Sequence, residues 1–119
     1  MDSTNFEIVF YYNGNNLYSI SKLAAIFINT EYESNVKVVS YKTGPLKYAE
    51  LNKNKLLFFL FSFTTPDSFS IFDTVKELKR FKNIILLAGG PHSTALPENS
   101  LRNGFDYVFR GEAETTLMR

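Results

Sequence analysis

Cysteine is absent from the 119 residues of this chain, and histidine occurs once, as His92. Without cysteine these residues can form no disulfide, no thiolate nucleophile and no thiolate metal site. A single histidine builds no transition-metal cage, and no serine and acid stand at the spacing of a catalytic triad beside it. The sequence therefore predicts no catalytic residue and no metal ligand, and it fits a cytoplasmic protein.

Long apolar runs and excess charge are also missing. The longest apolar run, residues 56–61, is about a third of the length that a membrane span needs. The amino terminus lacks the basic start and apolar core of a signal peptide. The formal net charge is +1, which gives no electrostatic case for binding nucleic acid. We expect a soluble protein with neither a membrane nor a nucleic-acid partner.

Several nucleotide-binding and phosphoacceptor motifs do not occur. The chain has no Gly-x-Gly-x-x-Gly fingerprint and no phosphate loop that ends in Gly-Lys-Ser/Thr. A receiver domain would need acidic residues after its first strand and an aspartate at the end of its third. The chain has Tyr12 and Asn13 at the first place and Ser62 at the second. These absences argue against dinucleotide binding, phosphate-loop chemistry and phosphoacceptor chemistry.

Apolar runs that alternate with helical patterns are what the chain does contain. Short runs rich in branched and aromatic residues predict strands at residues 6–12, 36–41, 55–63, 84–88 and 106–109. Between them, the sequence predicts helices at 17–29, 46–51, 66–81 and 97–102. This alternation predicts one α/β domain over residues 1–119, a doubly wound, flavodoxin-like fold. Its five-stranded parallel sheet should have the order 2-1-3-4-5, with helices on both faces.

Two helical stripes and a Phe-rich core support this reading. The chain has twelve Phe and seven Tyr but no Trp, which indicates a core built from phenylalanine. The first predicted stripe comprises Leu17, Ile20, Leu23, Ala24, Phe27 and Ile28, and the second comprises Phe69, Phe72, Val75, Leu78 and Phe81. Both stripes are expected to face the sheet.

Turns at the carboxyl ends of the strands form the predicted ligand-binding edge. These turns are residues 13–16, 41–44, 62–66, 89–92 and 110–114. In an open parallel sheet such turns lie at one edge, where ligands bind. The inner turns are rich in Gly, Ser, Thr and Asn, so we expect free backbone amides and hydroxyls that suit a polar or phosphorylated ligand.

Two features of this edge have more than one interpretation. His92 either bonds to the backbone of its own turn or contacts a ligand or neighbouring domain. Glu112 and Glu114 have the spacing of an acid–base pair, but acidic residues are also favoured in the first turn of any helix. Arg110 could pair with one of these glutamates or with a ligand phosphate.

Two of these turns resemble motifs of a known family. The turn Gly89-Gly90-Pro91-His92 and the segment Arg-Gly-Glu-Ala-Glu at 110–114 follow successive strands. In this order and spacing they resemble the end of the N-terminal domain of cobalamin-binding radical SAM proteins, and residues 62–67 share the likeness. The resemblance implies that the cofactor's nucleotide tail lies in the sheet edge, in a slot lined by Ser62, by Thr64 or Thr65, and by the two glycines.

The resemblance has one departure. Cobalamin mutases and methionine synthase carry Asp-x-His-x-x-Gly after the first strand, and that histidine ligates cobalt, whereas some cobalamin-binding radical SAM proteins also lack it. Residues 13–17 contain neither Asp nor His, so cobalamin would be held without a histidine as its lower ligand. The predicted cofactor-binding residues are Asn13, Gly14, Asn15, Ser62, Thr64, Thr65, Gly89, Gly90, Pro91, His92, Gly111 and Glu112.

The resemblance also implies a longer protein. The sequence predicts that a further helix begins at residues 115–119, and in the relatives the chain proceeds into a radical SAM barrel, which would be the partner of this domain. An iron–sulfur cluster and S-adenosylmethionine would bind only there, for radical chemistry such as methyl transfer. The alternative is a non-catalytic regulatory or interaction module that no longer binds cobalamin. If the slot is real, Gly90→Val should abolish cobalamin binding while the fold survives.

Overall fold

Five parallel strands form one sheet at the centre of the computed structural model, which describes residues 5–109. The strands are β1 (Phe6–Tyr12), β2 (Val36–Ser40), β3 (Leu56–Ser62), β4 (Ile84–Gly89) and β5 (Tyr107–Val108). Their order in the sheet is β2-β1-β3-β4-β5, and every neighbouring pair is parallel. This topology confirms the predicted doubly wound α/β fold.

Five α-helices connect the strands. They are α1 (Leu17–Ala24), α2 (Pro45–Leu51), α3 (Ser68–Leu78), α4 (Gly90–Ala95) and α5 (Pro97–Arg102). Short 3₁₀ turns occupy Ala25–Phe27, Glu33–Asn35 and Thr65–Asp67. Helix α4 is absent from the sequence prediction, because a Gly-Gly-Pro run normally breaks structure. Proline is nevertheless tolerated in the first turn of a helix, where its missing N–H costs no hydrogen bond.

The core has two halves, one on each face of the sheet. The face covered by α2 and α3 includes Val9, Phe59, Phe61, Ile71, Val75 and Leu78. The face covered by α1 includes Phe10, Ile20, Leu23, Phe27, Leu60 and Leu87. Because successive side chains of a strand point to opposite faces, β3 contributes side chains to both halves of the core. The prediction that this strand is central and covered on both faces is confirmed.

Three residues of the predicted helical stripes lie outside the core. Phe69 is 79% exposed, and Leu17 and Ile28 are 59% and 55% exposed. Helix α3 begins at Ser68, and the face it turns to the sheet contains Ile71 instead of Phe69. The chain becomes extended at Ile28, with ψ of 132°, so this residue leaves the stripe of α1. Within residues 5–109, no helix is long and apolar enough to cross a membrane.

Candidate ligand-binding site at the carboxyl edge

The carboxyl ends of β1 and β3 lie side by side, and the chain leaves them toward opposite faces of the sheet. This is the topological switch point of the fold, the place where open α/β sheets bind ligands. A cleft of about 80 Å³ opens there. We call it the switch-point cleft; its lining comprises Asn13, Asn15, Asn16, Ser19, Ser62, Phe63, Thr64, Asp67 and Pro91.

Asn16 ties the two strand ends together beneath the cleft. Its side chain is buried, and Nδ2 donates to the carbonyl oxygens of Tyr11 and Ser62, both at 2.9 Å. Its Oδ1 accepts the backbone N–H of Asn13 at 3.0 Å. Asn16 belongs to the predicted turn at residues 13–16 but was not among the predicted site residues. Its position at the start of α1, after an Asn-Gly pair, was the signal that could have identified it.

The first turn is closed on itself by its own side chains. The Oδ1 atom of Asn13 accepts the backbone N–H of Asn15 at 2.8 Å, while the N–H of Asn13 is taken by Asn16. Gly14 has a φ of 96°, and a Cβ atom there would lie 3.3 Å from the ring of Tyr41. The expectation of free backbone amides in this turn is therefore wrong for Asn13 and Asn15.

A carboxylate bridges the first and third turns. Oδ2 of Asp67 accepts the hydroxyl of Thr64 at 3.2 Å and Nδ2 of Asn13 at 3.5 Å. Asp67 was not among the predicted site residues, although it follows Pro66 directly in the predicted edge. Its neighbour Thr65 is directed elsewhere, toward His92. The structure thus brings Asn13, Thr64 and Asp67 together in the cleft and leaves Thr65 outside it.

The two glycines after β4 have different environments. Gly90 has a φ of 86°, and a Cβ there would lie 2.7 Å from Oγ of Ser62 and 2.8 Å from the backbone nitrogen of Phe63. Gly90 is therefore required for close packing of β3 against α4, and the expectation that valine at this position spares the fold is wrong. Gly89 is extended, with a φ of −142°.

Gly89 leaves open room at the end of the sheet. It pairs in register with the buried Ser62, and it is itself buried. Among the described residues, no atom beyond its chain neighbours lies within 4 Å of where a Cβ on Gly89 would be. By the alternation of strand side chains, that room lies on the α1 face, above Leu87. A flat or extended ligand group can therefore approach the backbone here.

His92 is part of the protein interior. It is 3% exposed, and its ring stacks on Phe63 with the centroids 5.4 Å apart. Nδ1 lies 3.0 Å from the hydroxyl of Thr65, and Nε2 lies 2.7 Å from Oδ1 of Asn99. The ring nitrogens bond to side chains, so the interpretation of a histidine bonded to turn backbone is wrong. Both nitrogens are engaged, which leaves neither available to a metal in this arrangement.

Part of the predicted site lies outside the described residues, namely Gly111 and Glu112 together with Arg110 and Glu114. Of the residues that line the switch-point cleft in the structure, Asp67 alone carries a formal charge. Across residues 5–109, no group of three or more His, Cys, Asp or Glu side chains could hold a metal ion. The cleft can therefore offer hydroxyls, side-chain amides and one carboxylate to a ligand.

A family model described as the B12 binding domain matches residues 28–119. A solved structure, the N-terminal domain of a hypothetical protein from Thermotoga maritima, is 43% identical over 51% of this chain and 50% of that chain. Its TM-score is 0.49, and the match spans about half the length of that protein. No curated protein matches the chain.

Proposed function

The chain belongs to the B12-binding domain family, and from that premise we propose that it holds cobalamin at the carboxyl edge of its sheet and positions it for a radical SAM barrel in the same protein. The observation that carries the cofactor part is the room beside Gly89. A buried strand end without a side chain, paired with Ser62 at the switch point, is a cradle that any Cβ would begin to fill.

The described residues fit part of cobalamin. The corrin ring carries carboxamide side chains, which both donate and accept hydrogen bonds. Asn13, Thr64 and Asp67 present amide, hydroxyl and carboxylate groups at the mouth of the cleft. Such groups orient a polar ligand rim while the Gly89 backbone admits its body. These residues would bind and orient the cofactor, and cobalamin when bound supplies the organometallic reactivity.

Cobalt would receive no imidazole from this edge. His92, the one histidine of the chain, has both ring nitrogens engaged with Thr65 and Asn99. We therefore propose that cobalamin binds here without a histidine as its lower ligand. The first turn supports this part of the proposal, since its cleft-lining positions are occupied by asparagines and not by the histidine of the related motif.

The second part of the proposal concerns the radical SAM barrel. Its support is the resemblance of the segment at 110–114, which lies outside the described residues, to the segment that precedes the barrel in radical SAM proteins. These residues contain no cysteine, so the iron–sulfur cluster and S-adenosylmethionine would bind in another part of the protein. A coding sequence that shows no Cys-x-x-x-Cys-x-x-Cys anywhere beside this domain would refute this part.

The cofactor proposal is tested by titrating the purified chain with hydroxocobalamin and methylcobalamin, followed by visible absorbance and calorimetry. We expect saturable binding and a spectrum without an imidazole ligand. Gly89→Leu should weaken binding by about tenfold or more, because its side chain occupies the cradle. The extended backbone of Gly89 accepts a side chain, so the melting temperature should remain close to that of the wild type.

Gly89→Ala is the matched control, since a single methyl group fills only part of the room. We expect its affinity to lie between those of the wild type and Gly89→Leu. If Gly89→Leu binds cobalamin with the affinity of the wild type, the cofactor does not bind in the room beside Gly89.

A second candidate function is a regulatory or interaction module that no longer binds cobalamin. The small size of the switch-point cleft, about 80 Å³, favours it, because pockets for cofactor-sized ligands usually measure roughly 300–1,000 Å³. The same titration separates the two functions. A folded chain that binds neither form of cobalamin at high micromolar concentration would favour the module.

A further inference from the structure

The α1 face of the sheet is incompletely covered toward the amino ends of the strands. On the opposite face, the β3 residues Leu57 and Phe59 are fully buried. On the α1 face, Leu60 is buried in the cluster formed with α1, whereas Leu56 and Phe58 remain partly exposed. A groove of about 450 Å³ lies there. We call it the α1-face groove; its lining comprises Phe6, Ile8, Phe27, Tyr32, Leu56, Phe58 and Leu87.

The uncovered surface continues from this groove to the edge of the sheet at β5. Ile85 is partly exposed, and Tyr107, which pairs in register with Leu87 and points to the same face, is 61% exposed. Within residues 5–109, the hydrophobic cluster on this face contains residues of α1 but of no other α-helix. Sheets of parallel strands normally have helices on both faces, and a contiguous apolar surface of this extent marks a place where something packs.

The chain leaves the sheet beside this uncovered surface. The side chain of Phe109 packs against the cluster on the α1 face, and its backbone N–H donates to the carbonyl of Ala88 at 2.8 Å. Because β5 is parallel to β4, the chain leaves it at the carboxyl edge. The right-handed connections from β3 to β4 and from β4 to β5 run on the opposite face, where α3 and His92 of α4 pack. Beside β4 and β5, the α1 face therefore remains open to the segment that follows Phe109.

We infer that residues 110–119 cover this surface, with Leu117 directed into the α1-face groove. Leu117 and Met118 are the large apolar residues of the segment, and Ala113 lies one helical turn before Leu117. A nine-residue helix is about 14 Å long, and Phe58 lies about 13 Å from the carboxyl end of β3. The segment is therefore long enough to reach the groove from the carboxyl edge. The family match includes the whole segment, so these residues belong to the same domain.

The absence of cysteine permits a direct test in the full chain, because one introduced thiol is then the only thiol present. Leu117→Cys places the thiol at the position that we expect to be covered. Thr116→Cys is the matched control, since neighbouring positions of a helix point to different sides. The rate of alkylation by iodoacetamide is measured for both variants. We expect Leu117→Cys to react about tenfold or more slowly than Thr116→Cys in buffer, and at the same rate in concentrated urea.

A second variant tests whether the uncovered surface provides this protection. Ile85→Thr, introduced beside Leu117→Cys, keeps a branched side chain in β4 but makes the surface more polar. We expect the thiol to react about threefold or more faster than with Leu117→Cys alone. Val38→Thr is the matched control, because Val38 is a strand residue that is 56% exposed and lies outside the groove. It should leave the alkylation rate unchanged.

Three outcomes would overturn the inference. If Leu117→Cys reacts as fast as Thr116→Cys in buffer, the surface has a different occupant, such as another domain of the protein. If protection appears only as the protein concentration rises, a second copy of the chain provides the cover. If Ile85→Thr and Val38→Thr change the alkylation rate equally, Leu117 packs against another part of the protein. These measurements use no cobalamin, so the inference and the proposed function can fail separately.

Discussion

Polar side chains occupy both edges of the sheet, but they are paired to different degrees. At the amino edge, the carboxylate of Glu7 is 6% exposed and accepts from Lys55 Nζ at 3.0 Å and from the hydroxyl of Tyr48. Both of its oxygens have partners. At the carboxyl edge, Oδ2 of the partly buried Asp67 accepts from Thr64 and Asn13, its Oδ1 has no partner within the described residues, and Gly89 leaves open room at the end of β4.

The difference indicates which edge can bind a ligand. A buried carboxylate with two partners stabilises the fold, and removing either partner would leave its buried charge incompletely paired. A half-exposed carboxylate with a spare acceptor retains the capacity to bind something else. Asn83 reinforces the amino edge, because its Nδ2 donates to the carbonyls of Asn52 and Lys55 at 3.2 and 2.7 Å. Charge alone therefore does not mark a site, whereas incomplete pairing next to open space does.

The two glycines at the carboxyl edge also differ, because Gly90 is closely packed and Gly89 faces open space. Gly90→Val should therefore have the largest effect on stability. A branched side chain at a φ of 86° is strained and would collide with Ser62 and the Phe63 backbone. We expect the free energy of unfolding to fall by about 2–6 kcal/mol, the sum of backbone strain and overpacking. Urea unfolding followed by circular dichroism measures this change.

Gly89→Ala serves as the control for that measurement. Its extended backbone and open surroundings predict a change within about 1 kcal/mol. If both variants unfold at the same urea concentration as the wild type, the close packing of Gly90 against β3 is not required for stability.

The sequence predicted the fold well because buried parallel strands are continuous apolar runs. Phe6–Tyr12 was predicted with its observed bounds, and α5 was also predicted at Pro97–Arg102. The topology then placed Asn13, Ser62 and Gly89 at one edge before any contact was known. Strand order and edge composition follow from local patterns and the handedness of connections.

Details of the site depended on tertiary geometry that no local pattern contains. Gly89 and Gly90 cannot be distinguished from the sequence, but Gly90 has a positive φ and Gly89 faces open space. His92 was expected to bond to the backbone of its own turn or to contact a ligand or neighbouring domain, yet its ring bonds to Asn99 of α5 and is buried. The bridge from Asp67 to Asn13 joins residues 54 positions apart. Such pairings are set by how turns from different strands meet.

Lys55→Met tests whether the pairing of Glu7 stabilises the amino edge. The substitution leaves Glu7 buried with Tyr48 as its remaining partner. We expect the free energy of unfolding to fall by about 2 kcal/mol, less than the roughly 3–5 kcal/mol of a fully buried pair, because the Lys55 side chain is 32% exposed. Lys53→Met is the matched control, since Lys53 and Glu50 form an exposed pair at 3.4 Å.

That exposed pair should contribute about 0.5 kcal/mol or less to the free energy of unfolding. Chemical denaturation of the two variants in one buffer gives both values. Equal losses for Lys55→Met and Lys53→Met would mean that the amino edge gains nothing from burying its ion pair, and the contrast between the two edges would have to be abandoned.

Tyr48 gives the stability of the amino edge a dependence on pH. Burial raises the pKa of Tyr48 above its ordinary value of 10.0, and the hydrogen bond to Glu7 and the charge of Glu7 raise it further. Because the folded-state pKa exceeds the unfolded one, its contribution to stability is complete below pH 10 and is lost as the pH rises above that value.

Tyr48→Phe should therefore be less stable than the wild type at pH 8, by about 1 kcal/mol for the lost hydrogen bond. Between pH 10 and about pH 12, its free energy of unfolding should fall less steeply than that of the wild type. Burial also raises the pKa of Tyr11, but Tyr11 is present in both proteins, so the difference between the two curves isolates Tyr48. Denaturation curves collected across this range provide the measurement. Parallel curves would show that the Tyr48 hydroxyl is not held by Glu7, and the amino edge would then share the incomplete pairing of the carboxyl edge.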